Sequence, residues 1–174
     1  NLGVLPVGSH TYNLTSVIDA CGTAVPGVPY SDILYVNALP SANGTTNNDP
    51  VLCNNGTTNI NLQSTVPSTT FVWTVTHSPA VTWTAGKTPA GGTGVIGTVI
   101  SQNLEHTGTA PTTVTYTITP AGPAPTSCPG TAITRNVIVN PTAQVNDPAN
   151  QVHCAGTAVP ALAFGTTRSG GVTT

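Results

Sequence analysis

The amino-acid sequence repeats itself at an interval of about 100 residues, and the repeat is out of phase with the ends of the chain. Matching residues lie 104, 103 and 101 positions apart in the pairs Tyr12 and Tyr116, Val36 and Val139, and Cys53 and Cys154. An interval of this length is the size of a small domain. The repeat therefore predicts one complete unit at residues 41–140, the C-terminal part of a preceding unit at 1–40, and the N-terminal part of a following unit at 141–174.

The partial units constrain the assembly, because half of a domain cannot bury its own core. Two arrangements would complete them. One is a covalent tandem array. The other is a polymer in which a neighbouring copy supplies the missing half of each subunit by strand exchange. The tandem array needs fewer assumptions, and both remain open. The predicted partners are adjacent repeats of the same polypeptide or copies of the chain itself.

Charged residues make up only 5% of the chain, against about 25% in an ordinary soluble domain. Lys87, Arg135 and Arg168 are the only lysines and arginines, so there is no basic patch for nucleic acid. No apolar run approaches the roughly 20 residues of a membrane span, and direct membrane insertion is not expected. Low charge weakens repulsion between copies, which favours an associating, secreted structural protein.

Alternation of apolar and polar residues is the dominant pattern and predicts β-strands. It is clearest over 70–76 and 113–119, and further strands are expected over 59–62 and 133–139. The inward-facing residues of the two clearest strands are the predicted core: Phe71, Trp73, Val75, Val114, Tyr116 and Ile118. Short strands separated by proline and glycine predict an all-β fold, with an antiparallel immunoglobulin-like β-sandwich in each unit and the Trp73 strand central in its sheet.

The two predicted junctions, 37–40 and 140–143, each contain a proline. Proline stiffens a short linker, so consecutive units are expected to form a rod. The strand over 33–36 is apolar on both faces. Its outer face is therefore predicted to be covered by a neighbouring domain or by another copy.

Several motifs follow one another in order through the complete unit: an entry at 53–58, strands at 100–104 and 113–120, a turn at 128–131 and an exit at 137–141. Together they resemble the PKD-like repeat of large extracellular proteins of Bacteroidota, which include cell-surface adhesins and gliding-associated filaments. The resemblance implies tandem immunoglobulin/PKD-like β-sandwiches, one complete and two partial. It also implies an extracellular location, at the cell surface or in a secreted filament.

Two cysteines occur in each repeat, at a spacing too wide for a C-x-x-C metal site, and an exported protein would oxidise them. The simplest pairing joins Cys53 to Cys128 within the complete unit and leaves Cys21 and Cys154 to partners outside this chain. The alternative is a bond across a domain junction. Immunoglobulin strand order could place Cys53 and Cys128 at opposite ends of the sandwich, beyond the ~7 Å that a disulfide can span between Cα atoms.

No group of residues has the arrangement of a catalytic site. Asp49 and Asp147 each precede a proline, as turn-opening residues do, and one aspartate per junction is too few for calcium. The four histidines are scattered and are predicted to be surface or edge residues. We therefore predict no enzyme, no metal site and no cofactor.

The aromatic residues leave one binding alternative open. Trp83 lies in a less regular stretch, where it either caps the core beneath a loop or exposes its ring to a glycan. The main prediction is a structural repeat segment of an extracellular surface adhesin or filament, a stiff rod of tandem or head-to-tail stacked β-sandwiches. The alternative is a carbohydrate-binding or spacer module of a secreted polysaccharide-degrading enzyme, with surface glycans as partners.

Overall fold

The computed structural model describes residues 3–18, 20–22, 24–25, 30–78 and 82–168. The extreme ends of the two predicted partial units, 1–2 and 169–174, lie outside the described residues. Within those ranges the chain forms strands, and it contains no helix that is long and apolar enough to cross a membrane. The strands are β1 (Gly8–Leu14), β2 (Val17–Ile18), β3 (Ala24–Val25), β4 (Tyr30–Val36), β5 (Thr46–Asn47), β6 (Val51–Cys53), β7 (Gly56–Thr57), β8 (Ile60–Asn61), β9 (Thr70–His77), β10 (Gly92–Val95), β11 (Val99–Ile100), β12 (Asn103–Leu104), β13 (Thr112–Ala121) and β14 (Ile133–Asn140).

The larger sheet has five strands in the order β10-β9-β13-β14-β6. Its central strand is β13, which has ten residues and pairs along both edges. The Trp73 strand, β9, lies one place away from the centre, so the predicted central position of that strand is corrected. The short β6 joins β14 in parallel, whereas the other pairs in this sheet are antiparallel.

Shorter strands form the opposing layer, in the orders β11-β8-β5 and β12-β7. Side chains from the two layers meet in one core, and the buried apolar residues are Ala42, Leu52, Ile60, Leu62, Phe71, Trp73, Ile100, Leu104, Val114, Tyr116, Ile118, Val137 and Val139. The predicted core residue Val75 is only partly buried and packs against this core. The prediction of an all-β sandwich is confirmed.

The indole of Trp73 restricts which residue can stand next to it in the edge strand β10. Its Nε1 donates a hydrogen bond to the carbonyl oxygen of Ala90 at 3.1 Å. The ring then lies so close to Gly92 that a Cβ atom there would approach the indole to 2.5 Å. Glycine in β10 therefore allows the backbone to cross the ring, as glycine does where another group approaches a strand closely.

The hairpin of β1 and β4 repeats the register of β13 and β14. Gly8 pairs with Val36 in the first hairpin, and Thr112 pairs with Val139 in the second. Adding the sequence offsets of 104 and 103 to the two strands of the first hairpin reproduces all seven pairs of the second. This agreement supports the assignment of 1–40 to a preceding unit, which stays a prediction.

The β1–β4 hairpin exposes apolar side chains on both of its faces. The exposed residues include Tyr12, Leu14, Ile33, Leu34 and Tyr35. In the complete unit, the positions that correspond to Tyr12, Leu14 and Leu34 are buried against the opposing layer. The positions that correspond to Ile33 and Tyr35 are exposed on the outer face. The predicted cover for 33–36 is consistent with this exposure.

Candidate functional site

The polypeptide enters the complete unit at one end of the sandwich and leaves it at the other end. At the entry end, Ser41 forms a β-bridge with Thr131, and Ala121 of β13 is bridged to Pro129. At the exit end, Thr112 of β13 pairs with Val139. The nine residue steps of β13 between these ends span about 30 Å at ~3.3 Å each. The chain therefore enters and leaves the complete unit about 30 Å apart.

The two cysteines of the unit lie at these opposite ends. Cys53 ends β6 and pairs with Asn140 at the exit. Cys128 lies at the entry, where its carbonyl oxygen accepts a hydrogen bond of 2.9 Å from the Gly122 N–H. About 30 Å of strand separates them, far beyond the ~7 Å limit between Cα atoms, and both are free thiols.

The predicted Cys53–Cys128 bond within the unit is therefore wrong. The physical reason is the direction of β6. Because β6 runs parallel to β14, its last residue lies where β14 ends. Cys128 instead precedes the start of β14 at Ile133.

At the entry end, the linker is held against the sandwich. The side-chain amide of Asn37 donates a hydrogen bond to Thr126 Oγ1 at 2.6 Å. Thr126 Oγ1 also accepts from the thiol of Cys128, with an S···O distance of 3.7 Å. The carbonyl of Pro40 lies directly over Gly130, where it leaves no room for a Cβ atom. These contacts restrict hinge motion where the chain enters the unit.

Polar contacts also fix the exit end. Asn54 Nδ2 donates to Thr142 Oγ1 at 2.8 Å, just beyond the end of β14. The Arg168 guanidinium donates to the Gly108 carbonyl and so ties the following segment to the sandwich. Both ends of the complete unit are therefore hydrogen-bonded to the segment that adjoins them.

His106 is the most buried histidine of the described residues, with 2% of its surface exposed, although the sequence predicts a surface or edge position. Its Nδ1 accepts a hydrogen bond from the Gly108 N–H at 3.2 Å. The proton therefore lies on Nε2, which donates to the Val139 carbonyl at 3.0 Å. Both ring nitrogens are thus used in connecting a loop to β14.

Trp83 packs between two imidazoles. Its ring meets those of His77 and His106 edge-on, with centroid distances of 5.3 and 5.6 Å. The indole N–H donates to His77 Nδ1 at 3.1 Å, and the side chain packs against the core. This geometry matches the core-capping alternative. Glycan contact at Trp83 stays a prediction, and no flat face of two aromatic rings accompanies it among the contacts described.

Tyr116 is the titratable group whose environment is most strongly altered. Burial raises the pKa of Tyr116 to about 12, and a hydrogen bond with the Thr58 hydroxyl offsets only part of that rise. The phenol donates to Gln102 Oε1 at 2.9 Å. A neutral, buried phenol bonded to an amide stabilises the core and has no access to a substrate.

Among the described residues, the histidine, cysteine and carboxylate side chains do not gather at one place. Within the described ranges, no three of them gather in a group that could hold a metal ion. Glu105 instead forms an ion pair of 2.7 Å with Lys87, whose ammonium also donates to Asn55 Oδ1 at 2.7 Å. The best-defined polar arrangements are therefore the two ends of the unit.

Sequence reasoning missed two of the residues that define these ends, Asn37 and Thr126, and also missed Arg135. The guanidinium of Arg135 donates through Nε and Nη2 to the carbonyl oxygen of Thr45, at 3.1 and 2.7 Å. One signal was available: asparagine occurs at the same point of the sequence repeat, at Asn37 directly after β4 and at Asn140 at the end of β14. Thr126 gave none, because threonine is common throughout the chain.

The complete unit is similar to a known protein family. A family model described as a PKD-like domain matches residues 50–143, which is more than half of the chain. A search of curated proteins found no match.

Proposed function

Because the chain belongs to the PKD-like domain family, we propose that it is a structural repeat segment of an extracellular surface adhesin or filament. Its β-sandwiches stack in tandem or head to tail into a stiff rod. The rod is non-catalytic and holds other parts of the assembly away from the cell. Bacteroidota are the proposed source, on the resemblance of the repeat motifs alone.

The observation that carries this proposal is the placement of entry and exit at opposite ends of the sandwich. Ser41 and Thr131 meet at one end, and Asn140 leaves at the other. A repeated domain with this geometry extends the array by its full length. About 30 Å of β13 and a linker of three residues give an axial repeat of roughly 40 Å.

The junction contacts support stiffness. The Asn37–Thr126 hydrogen bond and the close packing of Pro40 over Gly130 join the linker to the unit that follows it. Proline at position 40 further limits the backbone there. A junction restrained in this way transmits bending from one unit to the next and favours a rod over a flexible string of domains.

Surface composition supports an associating, extracellular protein. The chain carries three lysines and arginines and five carboxylates, so long-range repulsion between units is weak. The β1–β4 hairpin exposes Ile33 and Tyr35 on one face, as expected of a sheet face that an adjoining unit covers. Adjacent repeats of the same polypeptide are the first proposed partner, and copies of the chain are the second.

Electron microscopy of the native material tests the proposal directly. Long fibres with an axial repeat of one or two units, roughly 40 or 80 Å, are the expected result. Isolated globular particles with the mass of this chain would contradict it. Denaturing electrophoresis of the same sample under reducing conditions then separates the two assemblies. A very large chain indicates a covalent tandem array, and small subunits indicate a polymer completed by strand exchange.

A further inference from the structure

The bonding partners of the cysteines can be inferred from the shared register of the β1–β4 and β13–β14 hairpins. In the complete unit, Asn140 is the last residue of β14, and Cys53 pairs with it in the adjoining parallel strand. In the preceding hairpin, the register places Asn37 at the position of Asn140. A preceding unit built in the same way would therefore hold its own counterpart of Cys53 beside Asn37, about 5 Å away between Cα atoms.

The other side of Asn37 is already occupied by the entry end of the complete unit. Its side-chain amide is 2.6 Å from Thr126 Oγ1, and the same oxygen is 3.7 Å from Cys128 Sγ. One asparagine thus lies between Cys128 and the predicted place of the preceding unit's cysteine. Both sulfur atoms fall within roughly 10 Å of the Asn37 side chain, a gap that a small adjustment of the 122–130 loop can close.

We propose that a disulfide crosses each junction between consecutive units. It joins Cys128 to the cysteine that corresponds to Cys53 in the preceding unit, and Cys53 to the counterpart of Cys128 in the following one. Cys154 stands in the place of Cys53 one unit later, so its partner also lies one unit further on. This inference rests on the proposed rod, because it needs consecutive units in line.

The chemistry is thiol–disulfide exchange. The two thiols lose two protons and two electrons, an S–S bond forms between them, and an oxidised small-molecule disulfide such as glutathione disulfide is reduced to two thiols. Cys53 is exposed and Cys128 is partly exposed, so both can be reached by the oxidant. Each bond adds a second covalent connection beside the linker and restricts bending at the junction.

Peptide mapping of the native protein under non-reducing conditions is the first test. Digestion with pepsin in acid suppresses exchange, because the attacking thiolate is protonated. The expected product links the Cys128 peptide to the Cys53-type peptide of the preceding unit. A free Cys128 thiol, or a link between Cys128 and Cys53 of the same unit, would overturn the inference.

A substitution in the present chain tests the geometry independently. Asn37→Cys places a thiol at the midpoint of the proposed bridge. With glutathione disulfide, we expect it to form a bond to Cys128 within one chain, identified by peptide mapping. The matched control is Asn140→Cys, the equivalent position at the other end, which should form no bond to Cys128. Equal reaction of Cys128 in both variants would show that Asn37 does not bring the junction cysteines together.

Failure of this inference and failure of the rod are distinguishable. Fibres in the electron microscope that contain free Cys128 thiols would overturn the disulfide and leave the rod intact. Globular particles would overturn the rod, whatever the state of their thiols.

Discussion

At the scale of single residues, Tyr116 gives the unit a defined alkaline limit. Burial raises the pKa of Tyr116 to about 12 from the ordinary value of 10.0. Between these values the unfolded chain has lost the phenolic proton and the folded chain has kept it, so stability is complete below pH 10 and falls as the pH rises. The loss is about 1.4 kcal/mol per pH unit and about 2–3 kcal/mol in total.

Urea unfolding at several values between pH 8 and pH 11.5 measures this slope. Tyr116→Phe should flatten this slope while lowering stability at pH 8, because Gln102 Oε1 loses one of its two hydrogen-bond donors and keeps only the Ala90 N–H, at a cost of about 1 kcal/mol. Tyr35→Phe changes an exposed phenol and serves as the matched control. An unchanged slope in Tyr116→Phe would show that another group sets the alkaline limit.

Gly92 is the second residue whose substitution has a predictable sign. In Gly92→Ala the new Cβ atom would come within 2.5 Å of the Trp73 indole, and overpacking of this kind costs about 1–3 kcal/mol. Gly122→Ala is the control, since its Cβ would meet neighbours only at 3.6 Å and beyond. Thermal unfolding followed by tryptophan fluorescence should show a lower Tm for the first variant alone. Similar Tm values would mean that the indole moves aside freely.

Substitution of Trp83 distinguishes a structural role of this residue from a role in glycan binding. Removing the indole in Trp83→Ala takes away its packing on His77, His106 and the core, and we expect a loss of about 2–4 kcal/mol in unfolding free energy. Retention on immobilised polysaccharides should not change. A variant that keeps its stability but loses retention of a glycan would favour the carbohydrate-binding alternative.

At the scale of strands, the local pattern predicted the elements well wherever one face is buried. Alternation over 70–76 and 113–119 corresponds to β9 (Thr70–His77) and β13 (Thr112–Ala121). The order of strands in the sheet was harder to predict from the sequence, because it depends on pairing between segments that are distant along the chain. The parallel contact of β6 with β14 leaves no periodic signal in three residues, and this contact determines where Cys53 lies.

The same distinction explains the errors at the candidate site. His106 is buried because its two ring nitrogens bond a backbone N–H and the carbonyl of Val139, 33 residues away, and no local pattern encodes such a partner. The junction contact of Asn37 with Thr126 joins residues 89 positions apart. Only the repeated asparagine at 37 and 140 indicated that the end of the last strand has a special role.

Loss of that contact should loosen the linker without unfolding the sandwich. Thr126→Val removes the oxygen that accepts from Asn37 while keeping a side chain of similar shape. We expect faster proteolysis between residues 37 and 41 and a Tm of the complete unit within about 1–2 °C of wild type. Thr134→Val, at an exposed position of β14, is the control. Equal proteolysis of both variants would show that Pro40 and Gly130 alone hold the linker.

At the scale of the whole molecule, the position of the proposed disulfides decides what they would stabilise. A bond within a sandwich would raise the unfolding free energy of that unit by reducing the entropy of its unfolded chain. A bond across a junction leaves each sandwich to its own core and instead limits the angle between neighbours. The position of the two cysteines at opposite ends of the complete unit favours the second role for the proposed disulfides.

Reduction of native fibres tests this assignment at the same scale. After treatment with a small dithiol, electron micrographs should show fibres with a shorter persistence length and an unchanged axial repeat. The thermal unfolding temperature of the sandwiches should change little, because no bond inside a unit has been broken. A control sample is reduced, alkylated and compared with one alkylated without reduction, so that the label itself is accounted for. A large fall in Tm with no gain in curvature would place the bonds inside the units. The proposed geometry requires the opposite pair of results, because the cysteines of one unit are about 30 Å apart and each lies beside a linker.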